Sequence, residues 1–404
     1  MVFSKDYRED FLLDFDKNTF LNHGSYGAVP KVVLDRKKEL LDEAERFPDD
    51  HFRNNALEYY KEACKCAADF VHSSVENLVL VKNTTQGVNT IVNCFPKTKK
   101  ILINSHTYNA MRNMTDLHRT RWGCEVAEVE VNIPIESEDE VVKAFTEVMD
   151  ANEDLDLAII DHISSASALV FPIQRLIAEC KKRNIIVIID GAHAPGQIDL
   201  HLDTLGADFY VGNLHKWAYT PRGAAILWAD PKFHSILEPL TTSHLYKGTL
   251  HEKFFQQGTD DYSNFFTIPV SLKYHSDLGF ENLHAHAAEL FEYGRKRLCE
   301  EAGCSMYPVP ASMEAPFMKI VKLPRTDRYP DTDSAETLFK EIILKGIAIT
   351  DRIILQLLAN YNLVVAVTTT NGDMWMRISV NCYTNKSDLD RLVDVVKDAT
   401  PKLF

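Results

Sequence analysis

The feature that most constrains the fold is Ile185-Ile186-Val187-Ile188-Ile189, an unbroken β-branched run that stops at Asp190-Gly191. Lacking polar alternation, it cannot form a strand with one wet face. It predicts a strand buried on both sides, as in a parallel sheet covered by helices. Similar short apolar runs occur at Leu78 to Val81, Ile101 to Asn104, Ala127 to Val131, Leu157 to Asp161, Phe209 to Val211 and Ala224 to Trp228. Helical periodicity runs over Val32 to Arg46, Ala56 to Val71, Glu138 to Asp150 and Gln174 to Arg183. The alternation predicts an α/β fold, a mainly parallel seven-stranded sheet between helices.

From about His275 the pattern changes. A long charged helix through Arg297, an apolar stretch from Phe317 to Leu323, a helix around Ser334 to Lys345 and strands near Leu363 to Val367 and Met376 to Val380 read as a smaller α+β domain closing over the first. The expected division is an N-terminal arm over 1–30, a large domain over 31–274 and a small domain over 275–404. At 404 residues with 45% hydrophobic content, the chain can bury a core of that size.

Lys plus Arg number 44 against 58 Asp plus Glu, a formal charge of -14, which disfavours nucleic acid and anionic membrane as partners. The charged N-terminal residues lack a signal-peptide apolar core and no segment reaches membrane-spanning length, so a cytoplasmic protein is expected. Eight scattered cysteines in such a chain predict reduced thiols. Cys64-Lys65-Cys66 has the wrong spacing for a zinc knuckle, and no metal is expected.

Ligands of open α/β sheets sit at the carboxyl ends of the strands. One such end carries Asp190-Gly191-Ala192-His193; the next apolar piece leads to Asn213-Leu214-His215-Lys216-Trp217. Either residue alone has an ordinary reading, a turn-forming aspartate or a surface lysine. Together, a strand-end acid and a lysine among apolar neighbours suit pyridoxal 5'-phosphate: the lysine forms a Schiff base and the acid pairs with the pyridinium nitrogen.

The chain resembles the class V aminotransferase family of fold type I pyridoxal phosphate enzymes. The landmarks are Asn22-His23-Gly24, Asn83-Thr84-Thr85-Gln86-Gly87, Asp190-Gly191-Ala192-His193, Asn213-Leu214-His215-Lys216-Trp217, Gly258-Thr259 and Arg377-Ile378-Ser379, in family order over nearly the whole chain. It is similar to the isopenicillin N epimerase branch, which includes ergothioneine-pathway C–S lyases and L-cysteine desulfhydrases. The resemblance implies an aspartate aminotransferase-like fold, pyridoxal phosphate, an amino acid substrate and a homodimer with shared active sites.

Carried over by residue, Lys216 holds the cofactor and moves protons, Asp190 keeps the ring nitrogen protonated and His193 faces the phenolic oxygen. Thr84, Thr85 and Gln86 open a helix whose N-terminus suits a phosphate. Asn213 and His215 fall where phosphate ligands stand, although asparagine replaces a common hydroxyl residue at 213. Gly258 and Thr259 match a loop contributed by the partner subunit. In Ser105-His106-Thr107-Tyr108, Tyr108 is expected to stack on the ring, with His106 the alternative. Arg377 matches the arginine that grips the substrate carboxylate bidentately. The Asn22, His23 and Gly24 turn and Arg53 complete the expected substrate-binding set.

Fold does not decide the reaction. Persulfide-forming desulfurases carry a mobile cysteine shortly before that arginine; residues 367–375 contain none, and Cys382 lies beyond it. Together with the missing cysteine, the resemblance to the C–S lyase branch implies β-elimination from cysteine or an S-substituted cysteine, giving pyruvate and ammonia. Epimerisation or transamination of an amino acid is the alternative, and a persulfide-forming desulfurase or a cofactor-free binding protein on the same fold is less favoured.

Overall fold

The structure, a computed structural model, describes residues 6–306, 308–324, 349–370 and 373–403. Twelve strands follow in chain order: β1 (Thr19–Phe20), β2 (Leu78–Val81), β3 (Lys100–Asn104), β4 (Glu125–Val129), β5 (Leu157–Asp161), β6 (Ile186–Asp190), β7 (Phe209–Asn213), β8 (Ala225–Ala229), β9 (Met318–Lys322), β10 (Leu363–Val364), β11 (Ala366–Thr370) and β12 (Asp373–Ser379). Seven form the central sheet in the order β2-β8-β7-β6-β5-β3-β4. Only β8 runs antiparallel to its neighbours, β2 and β7.

Burial follows the apolar pattern. Val187, Ile188 and Ile189 of β6 are fully buried, and the sheet separates two apolar layers. Fully burying such a side chain contributes roughly 2 kcal/mol, so the β-branched runs fix the sheet interior. The edge strand β4 departs from expectation: it spans Glu125–Val129, two residues earlier than the apolar stretch suggested, because pairing with β3 starts at Lys100↔Glu125. Glu125 and Glu128 face outward there, and an edge strand tolerates them.

The expected single helix from His275 is two helices, Ile268–Leu278 and Phe280–Ala302, broken at Gly279 with φ +79°. An L-residue seldom adopts that conformation, and glycine makes the break. A helix over Ile349–Tyr361 precedes β10; the helix anticipated around Ser334 to Lys345 lies outside the described residues. The C-terminal sheet is antiparallel, in the order β11-β12-β9. The N-terminal arm joins this C-terminal part: β1 pairs parallel with β10, and Ser379 N–H donates to Leu21 O at 2.8 Å.

Candidate active site

The ends of β5, β6 and β7 bring Asp161, Asp190 and Asn213 side by side, with Asp161 and Asp190 in direct register. They line a cavity of about 330 Å³ with Lys216, His193, His215, Thr84, Thr85 and Tyr108. Burial raises the Asp190 carboxyl, while the Ala192 N–H at 3.0 Å and the Lys216 charge favour its ionised form. Gly191 permits the turn beneath it, since a Cβ there would lie 2.3 Å from the Tyr210 ring.

Lys216 Nζ stands 2.8 Å from His193 Nε2. Burial, helped by the Arg377 charge, lowers the Lys216 amine to about 7, so that near neutrality much of it is an unprotonated nucleophile. His193 is held well below its ordinary range by burial and by Lys216, and its Nδ1 has no hydrogen-bond partner. His215 is anchored to Ala224 O through Nδ1 at 3.1 Å and lowered to about 4, chiefly by burial.

The lysine is held from behind by the arm. His23 bridges Lys216 O at 2.8 Å and the Tyr383 hydroxyl at 2.7 Å. Gly27, at φ +67°, lies so close that a Cβ would sit 2.1 Å from His215 O. Gly24 lines the cavity; a Cβ there would meet Met318 Sδ at 2.7 Å.

Opposite lies the N-terminus of the Thr84–Asn93 helix. Asn83 caps it by accepting the Gln86 N–H at 2.8 Å, and Asn213 Oδ1 accepts the Thr84 N–H at 3.0 Å. Asn213 thus ties β7 to the helix in place of contributing a hydroxyl. Thr84 Oγ1 is buried without a partner. A helix N-terminus with an orphaned hydroxyl suits a phosphate, and a buried lysine of lowered basicity near an aspartate suits the rest of pyridoxal phosphate. The residues fit the cofactor.

Arg377, on β12, is buried; its guanidinium donates to Ser165 O at 2.7 Å, Ser165 Oγ at 3.2 Å, Asn22 Oδ1 at 3.1 Å and Ser25 Oγ at 2.9 Å. Burial lowers it to about 10, and its Nε has no partner. A planar fork in neutral surroundings can bind a carboxylate.

Three expectations need correction, those for His23, Gln86 and Arg53. His23 does not line the cavity; it braces the Lys216 backbone. Gln86 turns back to accept the Lys82 N–H at 2.8 Å, as a cap residue does. Arg53 is a surface residue, its side chain 78% exposed and paired with Asp49 at 2.9 Å. Gly258 and Thr259, expected to serve the partner's site and not their own, lie in a separate cleft with Lys82 and Gln86. His106 turns to Val131 O at 2.8 Å, whereas Tyr108 lines the cavity. Asp161, Ser25 and Ser165 were missed. The signal for Asp161 was present, an acid closing the apolar strand next to β6; the two serines sit in loops without a pattern.

The family profile for aminotransferase class-V matches residues 20–392. Among curated relatives, the hercynylcysteine sulfoxide lyase of Schizosaccharomyces pombe is 25% identical, covering 98% of each chain. The isopenicillin N epimerase of Streptomyces clavuligerus is also 25% identical, covering 94% of each. The L-cysteine desulfhydrase of Arabidopsis thaliana is 26% identical over 63% of this chain and 60% of its own. Among solved structures, the cystine C–S lyase C-DES superposes with a TM-score of 0.77 at 16% identity, covering 94% of this chain and 97% of its own. A C-DES variant with glycine covalently linked to its PLP cofactor gives 0.79 at 16% identity, covering 97% and 99%.

Proposed function

The chain belongs to the class V aminotransferase family, and from that membership we propose a pyridoxal 5'-phosphate-dependent carbon–sulfur lyase acting on cysteine or an S-substituted cysteine. When bound, pyridoxal phosphate supplies an electron sink that acidifies the Cα proton and lets a β-substituent leave. Arg377 receives the substrate carboxylate, exchanging its contacts with Asn22, Ser25 and Ser165. Lys216 would hold the cofactor, and its Nζ would take the Cα proton; its lowered basicity suits a proton carrier working near neutrality. Asp190 would keep the ring nitrogen protonated, Thr84, Thr85 and the helix N-terminus would hold the phosphate, and Tyr108 would cover the ring. The balanced outcome would be substrate plus water giving pyruvate, ammonia and the sulfur as thiol, sulfide or sulfenate.

The likeness to carbon–sulfur lyases over nearly the whole chain supports this reading, and the cavity lining separates it from a persulfide-forming desulfurase. Among the described residues no cysteine lines the cavity. The sequence over residues 367–375, before the arginine, contains no cysteine. Cys382 is buried, takes a hydrogen bond from the Tyr219 hydroxyl at 3.8 Å, and burial pushes its thiol up to about 12. An inert thiol is no persulfide carrier. The carbon–sulfur lyase relatives agree with this chemistry.

Purified protein incubated with cysteine and a panel of S-substituted cysteines is expected to release pyruvate in equal amount to the sulfur product. Exchange of the α-proton without pyruvate across the panel would assign epimerisation instead.

A further inference from the structure

Two carboxyls line the cavity among the described residues, Asp190 and Asp161, and the reaction above uses only the first. They are Cα partners at the ends of adjacent parallel strands, both 3% exposed. Neighbouring strands lie about 4.8 Å apart, and two carboxyls buried on adjacent strand ends resist taking a second negative charge. Asp161 Oδ2 accepts from Asn104 Nδ2 at 3.0 Å and from Thr107 Oγ1 at 3.4 Å. Those donors belong to a tight turn: Asn104 N–H donates to Thr107 Oγ1 at 3.0 Å, and His106 N–H to Asn104 Oδ1 at 2.9 Å. The next residue is Tyr108.

We propose that Asp161 is a positioning residue for the cofactor ring: the partner that stays uncharged near neutrality, so that the strand-end pair there carries a single negative charge, and the anchor of the turn that carries Tyr108. Charge placement agrees. Burial, then the neighbouring Asp190, push the Asp161 carboxyl up to about 8 against the pull of its Asn104 and Thr107 hydrogen bonds; burial raises Asp190 too, but the Ala192 N–H and the Lys216 charge favour its ionised form. The other titratable groups lining the cavity are His193 and His215, both held neutral, Lys216, Tyr26 and Tyr108; Arg377 acts on Lys216 from the C-terminal sheet. On the strand-end side, His162 bonds the Tyr210 hydroxyl at 2.8 Å and is lowered to about 3 by burial. Asp161 is thus the group there whose ionisation adds negative charge as pH rises.

The inference rests on the pyridoxal phosphate reading, and its test separates the two. The visible absorption of the lysine-bound cofactor is titrated with pH in wild type, Asp161→Asn and Thr107→Val. In wild type, Asp161 takes up its charge only as pH rises past neutrality, and that late charge then favours the protonated linkage and holds the midpoint high. Asp161→Asn, which cannot gain that charge, is expected to lower the midpoint by roughly half to one pH unit with the cofactor still bound. Thr107→Val removes one donor from the Asp161 carboxylate, disfavours its ionisation, and is expected to shift the midpoint the same way by less. Midpoints equal to wild type in both variants would overturn the proposal, leaving Asp161 a packing residue. Should Asp161→Asn fail to fold, an unshifted Thr107→Val midpoint overturns it alone. A wild-type chain without a visible band after incubation with pyridoxal phosphate would sink the cofactor reading, and this inference with it.

Discussion

At the scale of residues, the candidate site depends on burial changing ordinary side chains. A lysine in water is almost wholly protonated near neutrality; Lys216, buried and near Arg377, is lowered to about 7. Its amine is protonated below that pH and increasingly free above it. Capture of pyridoxal phosphate by the apoprotein should therefore accelerate as pH rises through about 7 and level off above, followed by growth of the visible band. Lys216→Ala should give no band that borohydride abolishes at any pH; a reducible band in that variant would remove Lys216 from its role. Lys216, Asp190 and Thr84 were legible in the sequence because they close or follow strands whose apolar pattern is plain. Ser25 and Ser165 were not, because a loop serine has no periodicity to mark it and gains meaning only when a buried guanidinium arrives.

At the scale of elements, the glycine turn of the arm does what its sequence only suggested. It was expected as a substrate-binding turn; it packs against the backbone of the lysine loop, with His23 bridging Lys216 O and Tyr383. Gly27→Ala would set a Cβ against His215 O and force an L-residue to φ +67°. The backbone conformation alone costs about 1 kcal/mol, and the clash with a carbonyl adds to it. Gly123→Ala, at φ +71° with open space around the position, isolates the backbone cost. Thermal unfolding is expected to fall further for Gly27→Ala than for Gly123→Ala, and only Gly27→Ala should weaken cofactor retention. Equal losses would mean that the arm's close approach is unimportant. The Gly279 break is the converse case: charged helical periodicity continues through it, so one helix was expected where φ +79° makes two.

At the scale of the whole molecule, the exposed Gly258–Thr259 cleft lies apart from the cavity that Lys216 lines. A loop matching a phosphate-binding position yet separate from its own site is what a shared two-chain site requires. The expectation is a dimer by sedimentation equilibrium. Mixing Lys216→Ala chains with Thr259→Ala chains should restore activity, approaching about a quarter of wild type, because each mixed dimer has one intact site. Activity no greater than the two inactive pools would confine the site to one chain. No described helix is long and apolar enough to cross a membrane.

By itself the sequence determined the sheet and the principal chemistry: continuous β-branched runs can only be buried strands, and Asp190 and Lys216 at their ends carry types suited to one cofactor. The tertiary structure decided what lies beside what. Parallel register set Asp161 against Asp190; β1 pairing with β10 carried Asn22 and Ser25 to Arg377, hundreds of residues away; folding turned Arg53 and Gln86 away from the cavity. The physical reason is range. Hydrophobic periodicity is local and survives in one dimension, whereas electrostatic pairing and hydrogen-bond partnership depend on distances that exist only after the chain has closed on itself.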